Sequence, residues 1–162
     1  MDLAALSQIA AVAGAALCMG LGAIGAAVGE GYSAFKAVQA IARQPRASDE
    51  VVRLMLVGMA VAESAGIFAL FIAIVLAMTN PQAAGIVQVG GFLAAGICMG
   101  VGALGPGIGA GLAAGSACEG VGVIPENNAL IMRTMLIGQA VSQSTAIYAL
   151  FVAMLLIFVV GG

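Results

Sequence analysis

The chain has 162 residues, of which 63 % are hydrophobic and 7 % charged, with no His or Trp and a formal net charge of -2. A soluble domain carries roughly a quarter charged residues, so this composition excludes one and points to a chain that lies almost wholly in a membrane. So few charges also leave neither a nucleic-acid footprint nor an acidic tail.

Four apolar stretches, at 9–41, 51–79, 86–118 and 129–160, each exceed the ~20 residues a helix needs to cross a bilayer core. The expected fold is an all-α membrane protein of four transmembrane helices. Residue 2 is Asp and the first basic residue is Lys36. The start therefore lacks the positive region of a cleavable signal, and the first stretch is expected to be retained. It is studded with glycine at 14, 20, 22, 25, 29 and 31, and Glu30 stands within it. The break RQPRASDE (43–50) has turn chemistry, as do TNPQ (79–82) and VIPENN (123–128). The second stretch carries Glu63 followed by Ser64. The third is again glycine-rich, from Gly96 to Gly115, with Pro106 fitting a mild bend, and the fourth reads VSQSTAIY at 141–148. Small residues four apart, such as 25 and 29 or 105 and 109, let helices approach closely in lipid. Glycines on several faces imply tight neighbours on several sides, as in the inner layer of a ring. Cys18, Cys98 and Cys118 lack metal-ligand spacing and read as small packing residues.

The second half repeats the first at a constant offset of 80. CMGLGAIG (18–25) returns as CMGVGALG (98–105), Pro45 as Pro125, Arg53 as Arg133, and GIFALFIA (66–73) as AIYALFVA (146–153). The unit is a helical hairpin, duplicated in tandem, with both copies parallel because two spans separate them. Residues 1–80 form the first hairpin and carry the candidate site, and 81–162 form the second, which lacks the carboxylate. Lys36, Arg43, Arg46, Arg53 and Arg133 cluster around loops 43–50 and 123–128. The positive-inside rule places those loops in the cytoplasm and both termini outside.

Glu30 and Glu63 lie 15 and 18 residues from Pro45, roughly 22 and 27 Å along a helix at 1.5 Å per residue. They share a depth and can face each other across the hairpin. A charge at mid-membrane costs about 2.5 to 3.5 kcal/mol on insertion scales, which marks both as functional candidates. In the second hairpin their positions hold Ala110 and Gln143, while Ser144, Thr145 and Tyr148 stand where the first has Ser64, Ala65 and Phe68. Oxygen ligands of these kinds suit a hard cation. A passive glutamate-lined channel would need polar residues along a whole helix face, and here they occur at one depth.

GAAVGEGYSAFKAVQAIARQP followed by GMAVAESAGIF, with GPGIGAG and GQAVSQSTAIYAL in the second hairpin, resembles the ion-carrying c subunit, or proteolipid, of F-type rotary ATP synthases, in particular the sodium-dependent members. The resemblance covers essentially the whole chain, in a duplicated form more typical of V-type rotors. It implies no catalytic site in this chain and no cofactor beyond the transported ion, Na+ or H+. The implied partners are a homo-oligomeric ring, alone or mixed with other c-type chains, a stator a subunit, central stalk subunits and lipid, and the implied location is a bacterial inner membrane. Glu63 would be the ion carboxylate. The family builds each site between adjacent hairpins. The live site would therefore join Glu30 and Glu63 with the Val141 carbonyl and Ser144, with Thr145 and Tyr148 assisting. The reverse pairing, Val61 and Ser64 with Gln143 and Ala110, has no carboxylate and would be inactive. Arg43, Gln44 and Pro45 would touch the stalk.

Overall fold

The computed structural model describes residues 2–79 and 85–161. Four helices run α1 (Leu3–Arg43), α2 (Ser48–Met78), α3 (Ile86–Val123) and α4 (Asn128–Leu155). All four are long and apolar enough to cross a membrane. They form two hairpins, as the repeat requires. Of the expected turn TNPQ, only Thr79 falls among the described residues.

The breaks after α1 and α3 fold alike although their sequences differ. Each is one 3-10 turn, Pro45–Ala47 or Pro125–Asn127, with proline at its first position, where no amide N–H is needed. Gln44 and Ile124 precede the prolines with nearly the same backbone angles, and each donates its N–H to a carbonyl four residues back, Ala40 or Gly120. α2 therefore starts at Ser48, three residues before the apolar run, with Asp49 and Glu50 in its first turn, where the helix dipole favours anions. At the other end, α4 closes in a π-helical turn, Leu156–Val160, and the Gln88 amide donates to the Gly161 carbonyl at 2.6 Å.

α1 and α3 pair along their lengths, α2 packs against both, and α4 packs mainly on α3. Glycine permits this pairing. A Cβ on Gly25 would lie 2.5 Å from the Leu104 Cα, and one on Gly107 would lie 2.7 Å from the Gly25 carbonyl carbon. Backbone thus meets backbone across the α1–α3 seam, the approach that small residues permit in lipid. The buried apolar residues fall into two groups. One surrounds Cys18, Ile72, Leu76, Phe92 and Met99, and the other surrounds Ala37, Leu54, Val121 and Met135 near the loops. Between them lies the level of Glu30, Glu63, Ala110 and Gln143, where polar groups interrupt the apolar packing.

Candidate functional site

Glu30 on α1 and Glu63 on α2 line one open groove of about 240 Å³ on the flank of the first hairpin, together with Ala23, Ala27, Gly66 and Ile67. Glu63 is exposed and Glu30 half-buried. The walls are small or aliphatic, and among the described residues the two carboxylates are the only ionisable groups lining this space. Two acids in one apolar groove repel each other when both are ionised.

The other flank of the first hairpin is closed by the second. Ser64 donates its hydroxyl to the Val61 carbonyl at 2.6 Å, and that carbonyl also accepts the Gln143 amide of α4 at 2.9 Å. One turn away, Gln139 donates from Nε2 to the Ala110 carbonyl at 2.8 Å and to the Gly58 carbonyl at 3.2 Å. Gln139 is fully buried and Gln143 is 8 % exposed. Val61, Ser64 and Gln143 therefore meet inside one chain, with the Ala110 carbonyl held one turn away by Gln139. Ala65 is buried and Phe68 half-buried.

Val141, Ser144, Thr145 and Tyr148 do not reach Glu30 or Glu63 within the chain. Val141 is 69 % and Tyr148 65 % exposed, while Ser144 and Thr145 bond only to carbonyls of their own helix, Val141 and Ser142. Their first-hairpin counterparts, Val61 and Ser64, face the second hairpin. By the repeat, this set therefore faces away from the first.

Two polar residues at the contact between hairpins escaped the sequence reading. Glu119 accepts Lys36 at 2.8 Å and Arg43 at 3.3 Å, bridging the hairpins near the loops. It lies one residue beyond the third span as drawn from hydropathy. Comparison with its counterpart Gln39, which lies between Lys36 and Arg43, would have flagged it as an acid gained in the second hairpin. Gln139 stands where the first hairpin has Met59, a polar group gained in the half that lost its charges. Arg43 remains 62 % exposed despite its partner. Cys18 and Cys118 are buried, with their thiols directed at the Ala69 and Val51 carbonyls, and Cys98 is half-buried. Among the described residues no cluster of His, Cys, Asp or Glu is built to hold a metal.

The family model for the ATP synthase C subunit matches the chain twice, at residues 13–76 and 93–156. The chain belongs to the ATP synthase c subunit family. Relatives of single-hairpin length align with about half of it. One of the ATP synthase c subunits of Cereibacter sphaeroides, the one numbered 2, is 45 % identical over 74 residues, 46 % of this chain and 89 % of the relative. The ATP synthase c subunit of Alkaliphilus oremlandii is 52 % identical over 66 residues, 41 % and 74 % respectively. That of Natranaerobius thermophilus is 43 % identical over 81 residues, 50 % and 93 %. This member of the family is thus a multi-pass membrane protein with two family units in one polypeptide.

Proposed function

We propose that the chain is an ion-translocating rotor subunit of an ATP synthase, that Glu63 carries the ion, and that each working site is completed by a second copy of the chain. One observation carries the reading. Gln143 already closes the Val61–Ser64 flank, so the Glu30–Glu63 groove and the Val141–Ser144–Tyr148 flank are the two faces left open. They are complementary halves of the site that the repeat implies.

The small residues support the same assembly. An added Cβ at Gly20, Gly31, Gly105 or Gly138 meets nothing within 4 Å, whereas at the counterparts Gly100, Gly111, Gly25 and Gly58 it meets the other hairpin. A groove of about 470 Å³ beside Gly138 is lined by Ala113, Ala117, Ile131 and Thr134, whose counterparts Ser33, Ala37, Val51 and Leu54 lie buried under the second hairpin. The chain thus carries one packing face twice and uses it once internally. Repeating that head-to-tail contact generates a ring when the rotation closes.

In such a ring the chemistry is electrostatic. An ionised Glu63 cannot turn into lipid cheaply, but a carboxylate neutralised by a cation can. Rotation then requires every site leaving the stator to be filled. Glu30 holds a proton while Glu63 binds sodium, which leaves the site neutral. Ser144 and the Val141 carbonyl of the neighbouring copy complete the oxygen shell, Thr145 positions a water, and Tyr148 donates to Glu63. One ion per two hairpins delivers about 2.3 kcal/mol per 100 mV, so a turn yields less work than in a ring charged at every hairpin, unless the ring is larger. The loop with Arg43, Gln44 and Pro45 meets the central stalk on the cytoplasmic side, and both termini lie outside.

Labelling with a carboxyl-reactive carbodiimide tests this. Glu63 is expected to react, more slowly in sodium and faster at low pH. Sodium protection should weaken in Ser144→Ala and Tyr148→Phe and survive in Ser64→Ala. Labelling indifferent to sodium would assign the rotor to protons, and the opposite ranking of the serine variants would reverse the pairing.

A further inference from the structure

We propose that Gln139 and Gln143 are a built-in substitute for the cation, closing the seam inside each chain without an ion, so that the two hairpins move as one rigid unit. This rests on the reading that a seam of this kind is otherwise completed by an ion. The Val61 carbonyl and Ser64 hydroxyl lie at the position that Val141 and Ser144 occupy on the open flank, and an amide N–H now occupies the carbonyl at 2.9 Å. An amide hydrogen carries partial positive charge and satisfies that oxygen as a cation would. It is tethered and neutral, so it neither leaves nor demands a carboxylate.

Gln139 extends the clamp by one turn. Its amide spans the Gly58 carbonyl of the first hairpin and the Ala110 carbonyl of the second. Ala110 is the position of Glu30 in the first hairpin, and its small side chain leaves the backbone oxygen reachable. Both lost carboxylates are thus matched by amide contacts at the same level, and the Met59 counterpart has no such group. Gly58 accommodates the Ala114 Cβ, which holds the two helices close enough for these bonds. The Glu119 bridge to Lys36 and Arg43 joins the same hairpins near the loops. These ties need no bound ion, whereas the seam between copies depends on what binds Glu63.

Two measurements on the full chain in its membrane test the clamp. Gln143→Glu places a carboxylate beside the Val61 carbonyl and Ser64. The expected result is a second carbodiimide adduct at position 143, slowed about tenfold by sodium at ten times its dissociation constant. An adduct at 143 that forms equally with and without sodium, or fails to form, overturns the proposal. Glu63 in the same digest reports separately on the working site, and loss of sodium protection there counts against the proposed function instead. Gln143→Met keeps the volume and removes the amide. It is expected to raise hydrogen exchange of the backbone amides at 58–66 about fivefold, the effect of one lost hydrogen bond. Unchanged exchange in this variant overturns the clamp, whatever the labelling shows.

Discussion

Gly111→Ala and Gly31→Ala put the same methyl group on counterparts of the repeat, and only one of them lies in the seam inside the chain. A Cβ on Gly111 would meet the Cα, carbonyl carbon and oxygen of Gly29, while one on Gly31 meets nothing within 4 Å. The obstacle at Gly111 is backbone, which has no rotamer to change, and carbon contacts settle near ~3.5 to 4.0 Å. α1 and α3 must then part by about 1 Å or more. Overpacking of this kind costs ~1 to 3 kcal/mol, and the unyielding neighbour argues for the upper end. Alanine returns at most about 1 kcal/mol through its better helix propensity. The net loss is about 2 kcal/mol, near the thirtyfold end of the change in folded population. Reversible unfolding of the isolated chain in mixed SDS micelles, followed by circular dichroism, should show Gly111→Ala shifted to lower SDS. Gly31→Ala should match or exceed the parent there and lose stability only as an assembled ring on native gels. A Gly111→Ala chain with an unshifted midpoint, or a Gly31→Ala chain weakened in isolation, would refute the placement of the two seams.

The thiols report on the same assembly. Cys98 is the half-buried counterpart of Cys18, so maleimide should modify Cys98 and spare Cys18 and Cys118 in dissociated chains, and ring assembly should protect Cys98; unchanged labelling on assembly would count against α3 facing the next copy. The two inner seams should also differ in width. Ala16 and Ala27 stand where the internal seam has Gly96 and Gly107, and a Cβ on Gly107 would come within 2.7 Å of backbone, so α1 and α3 should lie farther apart between copies than within one. Equal inner spacings around a ring structure would contradict this.

How much of this was legible in the sequence follows from what each feature depends on. Hydropathy and length required four spans, because a bilayer leaves no other way to satisfy the backbone of so apolar a chain. The gapless offset of 80 required two equivalent hairpins, and counting residues from Pro45 placed Glu30 and Glu63 at one depth, since helical rise is uniform. Those are properties of single helices and carry over from the sequence unaided. The pattern of glycines also announced close packing on several faces, but it did not say which face meets which. Gly29 and Gly109, or Gly31 and Gly111, are interchangeable in sequence.

Tertiary structure decided which of two equivalent seams is folded into the chain. Both pairings of the hairpins bring glycine-rich faces together, and the choice rests on cross-helix contacts of Gln139, Gln143 and Glu119 with groups 76 to 83 residues away or on facing helices. Such bonds depend on where two helices sit relative to each other, which no local periodicity encodes. Residue by residue, the sequence showed that the second hairpin had lost its carboxylates. Only the packed chain showed that amides had taken up the carbonyls of that seam, leaving Glu30 and Glu63 on the face that remains open.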